Sequence, residues 1–342
     1  MTRPSARHSL ARAPRGWAVG LDMGGTNIRC AAVSVAGKVL LMQHGPSHAS
    51  RAAPAVADNI AARLNALLES ARREGLGSPR AVGVAVPGPL DVFSGTVMQA
   101  PHVAAWRGYS LRKRLETLVG RRIVLENDAN AWALGEFWRG AARGHRDVVL
   151  LTLGTGVGGG LIVGGNLVHG RSGMAGELGH VTVEPDGPRC DCGAHGCLES
   201  YASASGLRGL VEKRLGLRAG ARLPPELVDS ENNFSVRRLT ALARRGDSMA
   251  LEAFGVAGHY LGIAIASFLN IFNPDLVVIG GGVAGALPYM RKPMLAQVRT
   301  RAFAAVARQV KIVRAALGAH GGVVGAAYAA LNPVPGRRSD GV

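Results

Sequence analysis

The sequence predicts an α/β protein built as two related halves that face a cleft. Two observations carry that expectation. Short apolar runs alternate with segments of helical spacing along the chain, the pattern of strands covered by helices. One local plan, an apolar run, a glycine turn and a second apolar run, also occurs twice, at Trp17–Val35 and at Asp147–Val163, about 130 residues apart. The 342 residues, 47% of them hydrophobic, suffice for two ordinary cores.

The elements follow in order. Trp17–Asp22 is a strand that runs into Met23-Gly24-Gly25-Thr26-Asn27, and Ile28–Val35 is the strand that returns. In Ala53–Arg73 the residues Val56, Ile60, Leu64, Leu67, Leu68 and Ala71 line one helical face. Ala81–Val86 is a buried strand ending at Pro87-Gly88-Pro89. Leu111–Leu118 is a short helix, Arg122–Leu125 a strand, and Asn127-Asp128 opens the helix Ala129–Arg139 with Asp128 suited to the cap. Asp147–Leu153 is a strand followed by a loop over Gly154–Gly160 and a strand at Leu161–Val163. Helices are expected at Ser203–Leu215, Val236–Arg245, Ser248–Phe272, Pro293–Ala307 and Val323–Leu331, and a strand at Leu276–Ile279 runs into Gly280-Gly281-Gly282. The expected domains are 17–127 with the C-terminal helix 318–332, and 128–317, between a basic disordered tail at 1–16 and a second tail at 333–342.

Composition excludes several classes. The apolar fraction is too high for a disordered polymer, the 48 glycines keep no triplet period, and four cysteines cannot staple a chain of this length. The net charge of +17 invites a nucleic-acid reading. Of the 40 basic residues, however, only five are lysines (Lys38, Lys113, Lys213, Lys292, Lys311), and the arginines are dispersed rather than clustered. No signal peptide is recognisable, and Ala253–Pro274, with His259, Tyr260 and Asn270, reads as a core helix rather than a membrane span. A cytoplasmic protein with no membrane and no specific nucleic-acid partner is the expectation.

The glycine turns come first among the candidate sites. A glycine turn at a strand end leaves backbone N–H groups free to meet phosphate oxygens. Two such turns, with Thr26 and Thr155 adding hydroxyls, would grip one polyphosphate from both sides. Neither is a Walker A loop, which needs Gly-Lys-Ser/Thr, nor a dinucleotide fingerprint, which needs a helix directly after it. Asp22, at the end of the first strand, suits Mg²⁺ through water. Gly281 and Gly282 leave room for a base or sugar, or simply for a strand-to-helix turn.

Cys190, Cys192 and Cys197 form C-x-C-x₄-C, with His180 ten residues upstream. Three thiolates and an imidazole suit tetrahedral Zn²⁺ and close its shell, a structural rather than hydrolytic site; unliganded clustered thiols are the alternative. A disulfide fits poorly, and Cys30 reads as core. Asp128 doubles as a candidate general base, since a hydroxyl attacking a γ-phosphoryl group needs a carboxylate for its proton. Glu177, His180 and Glu199, tethered to the metal loop, suit hydrogen bonds to a polyhydroxylated ligand.

Together Leu21-Asp22-Met23-Gly24-Gly25-Thr26, Glu126-Asn127-Asp128-Ala129-Asn130, Leu153–Gly160, Gly176–His180 and Cys190-Asp191-Cys192-Gly193-Ala194-His195-Gly196-Cys197-Leu198-Glu199 resemble the ROK family of repressors, open reading frames and sugar kinases. The resemblance runs from about Gly16 to Leu331, and its cysteine segment is the most specific part. It implies the two-domain actin-like ATPase (ribonuclease H-like) fold, ATP with Mg²⁺, structural Zn²⁺ and a homodimer or homotetramer. It implies Asp128 as general base toward the sugar hydroxyl. It also implies sugar contacts from Asn127, Glu177, His180, Glu199 and Gly88. His180, Cys190, Cys192 and Cys197 would hold the metal. Asp22, Gly24, Gly25, Thr26, Gly154, Thr155 and Gly156 would serve the phosphates, and Gly281 and Gly282 the adenosine. The intact Gly-Glu-x-Gly-His and Val86-Pro87-Gly88-Pro89 look most like the glucokinase branch. N-acetylmannosamine, N-acetylglucosamine, mannose and fructose stay open as substrates, and polyphosphate as donor. Met23 and Asn27 depart from the family's commoner residues without touching the proposed chemistry. A sugar-sensing repressor of the family would need a DNA-binding domain ahead of Trp17, where only 16 residues stand. A non-catalytic binding module sits badly with the retained Asp128.

Overall fold

A computed structural model describes residues 16–98 and 106–334. The expected N-terminal tail lies outside them but for Gly16, and the C-terminal one but for Pro333 and Val334.

The first half begins with strands β1 (Trp17–Met23), β2 (Asn27–Ser34) and β3 (Val39–Pro46), then helix α1 (Ala53–Arg73) and β4 (Val82–Val86). A two-stranded ribbon, β5 (Leu90–Asp91) with β6 (Thr96–Val97), precedes α2 (Leu111–Val119) and β7 (Val124–Asn127). The sheet order is β3-β2-β1-β4-β7, antiparallel through β1–β3 and parallel from β1 to β4 and β7. All seven residues of β1 are buried. Their alternation explains why. Trp17, Val19, Leu21 and Met23 join the core under Val56, Ile60 and Leu64 of α1. Ala18 faces the other way, toward Val323, Val324 and Ala327. A strand covered on both faces reads as one continuous apolar run.

Helix α3 (Asp128–Arg139) leads to the second half. There β8 (Val148–Leu153), β9 (Val157–Val163), β10 (Asn166–Leu167), β11 (Leu276–Gly280) and β12 (Lys311–Arg314) form the order β10-β9-β8-β11-β12. Between β10 and β11 lie the cysteine loop and helices α4 (Glu199–Ala202), α5 (Ala204–Arg214), α6 (Val236–Arg244) and α7 (Ser248–Phe272). Helices α8 (Leu287–Arg301) and α9 (Ala304–Gln309) precede β12, and α10 (Gly321–Leu331) ends the described chain. The long apolar α7 is a core helix: Asp247 caps it through the Ala250 N–H, and Phe254, Leu261, Ile265 and Leu269 are buried among Met290 and Met294 of α8.

The two sheets are joined by α3 and α10. Helix α3 leaves β7 of the first sheet and packs on β9 of the second, whereas α10 follows β12 and packs on β1 and β4. The two helices also pack on each other, so closely that a Cβ on Gly325 would lie 1.5 Å from the Ala131 carbonyl oxygen. Only glycine permits that approach. The buried Glu136 carboxylate fastens the crossing by accepting from the N–H groups of Ala141 (2.7 Å), Ala316 (3.0 Å) and Leu317 (2.8 Å).

Four local expectations are corrected. The cap of α3 is Asn127, not Asp128, because its side chain reaches the N–H groups of both Ala129 and Asn130. The loop after β8 is only Gly154-Thr155-Gly156, since Val157–Gly160 already pair with β8. The helix expected at Pro293–Ala307 starts earlier, at Leu287 with Pro288 in its first turn, and breaks at the extended Ala302. Strands β3 and β12 were not anticipated. Both are edge strands with no buried residue; β12 has only Ile312 and Val313 between charged ends, whereas Val39-Leu40-Leu41-Met42 of β3 is an apolar run that sequence reasoning passed over.

Candidate active site

The junction of β7 and α3 places the acid. Asn127 Oδ1 accepts from Ala129 N (2.9 Å) and Asn130 N (3.0 Å), and its Nδ2 donates to the Gly88 carbonyl at 3.2 Å. One side chain thus caps the helix and ties it to the Pro87-Gly88-Pro89 turn. Asp128 is the first residue of α3 and accepts from Ala129 N at 2.9 Å. Burial pushes its carboxyl up from 3.8 to about 7, and the nearby Asp22 and Glu177 carboxylates push the same way.

Asp22 lies one residue from the end of β1. Burial raises its carboxyl to about 6, opposed by the Arg29 guanidinium at 3.7 Å. Burial also raises Glu177, against His180, which lowers it, while Glu199 raises it further. Three acids from three segments of the chain therefore share one electrostatic neighbourhood. Crowded carboxylates of this kind mark a place where a cation or a proton is handled.

Glu177 and His180 belong to Gly176-Glu177-Leu178-Gly179-His180, a single 3₁₀ turn over Leu178–His180. Gly179 presses on β9, where a Cβ would stand 1.9 Å from the Val157 carbonyl. The turn thereby lies flat on the hairpin and projects both side chains from a fixed base. His180, Cys190, Cys192 and Cys197 converge so that one ligand atom of each lies within 4.8 Å of all the others. Cys190 Sγ is 3.6 Å from His180 Nδ1, and Cys192 Sγ is 3.6 Å from Cys197 Sγ. Tetrahedral coordination with Zn–S of about 2.3 Å and Zn–N of about 2.0 Å spaces ligands by roughly 3.5–3.8 Å. The donor set and its spacing fit the expected Zn²⁺. Cys30 is buried in β2, apart from the cluster, as expected of a core residue.

Glu199 opens α4 just after the last cysteine. Its Oε2 accepts from Val157 N at 2.8 Å, beside Gly156. It links the cysteine loop to the second glycine turn. That turn is also held by α5, since Ala204 N donates to Gly154 O (2.8 Å) and Ser205 Oγ to Thr155 O (3.1 Å). Thr155 itself is exposed, as are Gly25 and Thr26 of the first turn. Ser47 backs the first turn, its Oγ donating to Gly25 O at 2.8 Å. Because Gly280 pairs with Thr152, Gly281 and Gly282 leave the sheet at the same end as Gly154.

Several residues escaped sequence reasoning. Ser47, Ser203 and Ser205 stiffen the turns from a distance in sequence that no motif reveals. Glu126 was legible only as part of a motif; in the structure it is buried and paired with His169 at 2.7 Å. An acid inside the strand Val124–Asn127 was the available signal, since a buried charge needs a partner. A cavity of about 960 Å³ is lined by Glu184, Arg189, Lys213 and Tyr260 and also by Cys190 and Glu199, but not by Asp128 or Glu177. The carboxylates, not cavity size, locate the chemistry.

Two sheets of one strand order, each opened by a glycine hairpin and joined by crossing helices, define an actin-like ATPase fold. The chain belongs to the ROK family, whose model matches residues 18–332. It is 35% identical to a glucokinase from Halalkalibacterium halodurans across 91% of this chain and 94% of that one. It is similar to the crystal structure of a ROK family glucokinase from Streptomyces griseus in complex with glucose and AMPPNP, with 33% identity, a TM-score of 0.76, and coverage of 93% and 100% of the two chains. It is also 27% identical to the xylose repressor of Bacillus subtilis, over 91% of this chain and 76% of the repressor.

Proposed function

We propose that this chain is a cytoplasmic, ATP-dependent hexose kinase that phosphorylates glucose at O6, with Asp128 as general base. The observation that carries the reading is Asp128 itself: half-buried, fixed at the start of α3, and raised to about 7 by its surroundings. A base poised near the working pH both exists in the right form and accepts a proton readily. The likeness to glucokinases at 32–36% identity supports the sugar class.

The residues then divide the work. Asn127, Gly88, Glu177, His180 and Glu199 hold the sugar hydroxyls and orient O6 toward Asp128. The turns Gly24–Thr26 and Gly154–Gly156 present N–H and hydroxyl donors to the nucleotide phosphates, with Gly281 and Gly282 beside the adenosine. Asp22, an acceptor-only group, suits the Mg²⁺ that accompanies ATP and offsets phosphate charge. Asp128 takes the O6 proton as the oxygen attacks the γ-phosphoryl group in line. Bound zinc supplies rigidity, fixing the loop from which Glu177, His180 and Glu199 act. Approach of the two sheets excludes water, which would otherwise compete for the phosphoryl group.

The test is ADP release with MgATP and glucose, in wild type and in Asp128→Asn. Sugar-dependent ADP lost in the variant is the expected result. A sugar-responsive regulator is the second reading, favoured by the likeness to the xylose repressor; sugar binding without turnover would support it.

A further inference from the structure

We propose that Glu126 and His169 form a positioning pair that sets Asn127 and Asp128 in register with Glu177 and His180, and so governs sugar affinity. The inference rests on the hexose-kinase reading.

Glu126 lies on β7, 3% exposed, and His169 lies beyond β10, 8% exposed. His169 Nε2 donates to Glu126 Oε2 at 2.7 Å. The other carboxylate oxygen accepts from Asn127 N (2.9 Å) and from Asn130 Nδ2 (3.1 Å). One buried acid therefore grips the residue before Asp128, the first turn of the same helix, and a histidine 43 residues away. Charge-assisted bonds in a dry site are strong and directional.

The loop from His169 onward is the one that delivers Glu177. Ala175 N donates to the His169 carbonyl at 3.1 Å, so the loop folds back upon itself. Its far end, Gly176, passes so close to Asn130 that a Cβ would sit 3.2 Å from the Asn130 Oδ1. That oxygen is buried and has no hydrogen-bond partner among the described residues. His169 and Gly176, the two ends of the loop, are thus seated on Glu126 and Asn130, one turn apart at the mouth of α3. Glu177 and His180 begin directly after. Neither Glu126 nor His169 is among the residues assigned to sugar or nucleotide; the pair acts through the groups it holds.

Loss of this seat frees the loop to shift against α3. A shift of about 1 Å remote from the reacting atoms suffices to cost orders of magnitude in a site that depends on orientation.

The experiment uses the zinc-loaded full chain. Steady-state kinetics with glucose and ATP are compared for wild type, His169→Phe, His169→Gln and Glu126→Gln, together with hydrogen exchange of the amides in 169–180. His169→Phe should raise the glucose KM by about tenfold or more while the ATP KM stays within about twofold. Exchange should quicken in 169–180 and at the start of α3 only. Glu126→Gln keeps an oxygen to accept from Asn127 N and an amide to meet His169 Nε2, so it should stay within about threefold of wild type in both KM values. Equal rises in both KM values, or faster exchange throughout the chain, would reduce the pair to a stability role and overturn the proposal. If His169→Phe does not fold, His169→Ala removes the same donor and gives the same comparison, whereas His169→Gln, whose amide can still donate to Glu126, should stay within about threefold of wild type. If wild type phosphorylates no hexose, the kinase reading fails, and exchange alone judges the pair: local quickening keeps it as the loop's anchor, and unchanged exchange removes it.

Discussion

The sheets β3-β2-β1-β4-β7 and β10-β9-β8-β11-β12 repeat one order, an antiparallel hairpin extended on one side by two parallel strands. What the halves carry on that frame differs. One residue from its end, β1 has Asp22 where β8 has Thr152. The helix after the last strand of the first sheet begins with Asp128 behind its Asn127 cap, whereas α10 begins Gly321-Gly322. Gly322 leaves room for the other half's acid, since a Cβ there would lie 2.4 Å from Asp22 Oδ2. Between third and fourth strands the first half has α1, and the second has the cysteine loop and four helices. The scaffold is duplicated, but the acids Asp22 and Asp128 come from the first half, and Glu177, His180 and Glu199 come from the second. A frame with two equivalent ends becomes a directional site by unequal decoration.

That comparison can be broken most severely at Asp128. Asp128→Asn should lower turnover at least ~10²-fold, whereas Thr152→Ala, at the position in β8 matching Asp22, should cost far less. Equal losses would mean that the halves are not specialised. The next largest effect falls on the metal loop. Cys192→Ser should lose zinc, lower the melting temperature and weaken sugar binding more than nucleotide binding; unchanged zinc content by metal analysis would remove Cys192 as a ligand. At the crossing of α3 and α10, Gly325→Ala forces a side chain against the Ala131 carbonyl, and urea unfolding should show a loss of at least about 1–3 kcal/mol.

The subtlest effect is pH. In its proposed role as general base Asp128 works deprotonated, so kcat/KM should rise with pH through about 7. Stability should run the other way. The folded-state value of about 7 lies above the ordinary 3.8, so the protonated form is favoured by folding. That contribution is complete below about pH 4 and is lost as pH rises through about 7. Without ligands, Asp128→Asn should therefore melt higher than wild type at pH 8, and a lower melting point there would contradict the burial of the charge.

Much of this was legible in the chain because it is local. The apolar run of Trp17–Asp22 marked a strand, and Ala53–Arg73 showed its helical stripe. The cysteine cluster announced itself by spacing, and the structure closes it with His180. What stayed hidden depends on partners distant in sequence. Edge strands β3 and β12 have no buried residue, and β12 offers only Ile312 and Val313 as a signal. The Asn127 cap was missed because Asn127 and Asp128 are both good caps, and only the geometry of the turn decides which side chain reaches the free N–H groups. Glu136, Glu126 and His169 act across the fold, through contacts that no periodicity encodes.

The most direct test is ADP release from MgATP by zinc-loaded wild type and Asp128→Asn, with glucose, mannose, fructose, N-acetylglucosamine and N-acetylmannosamine offered separately. Glucose-dependent ADP that vanishes in the variant is the predicted result. Full activity in Asp128→Asn, or no ADP with any of the sugars from folded wild type, would contradict the account.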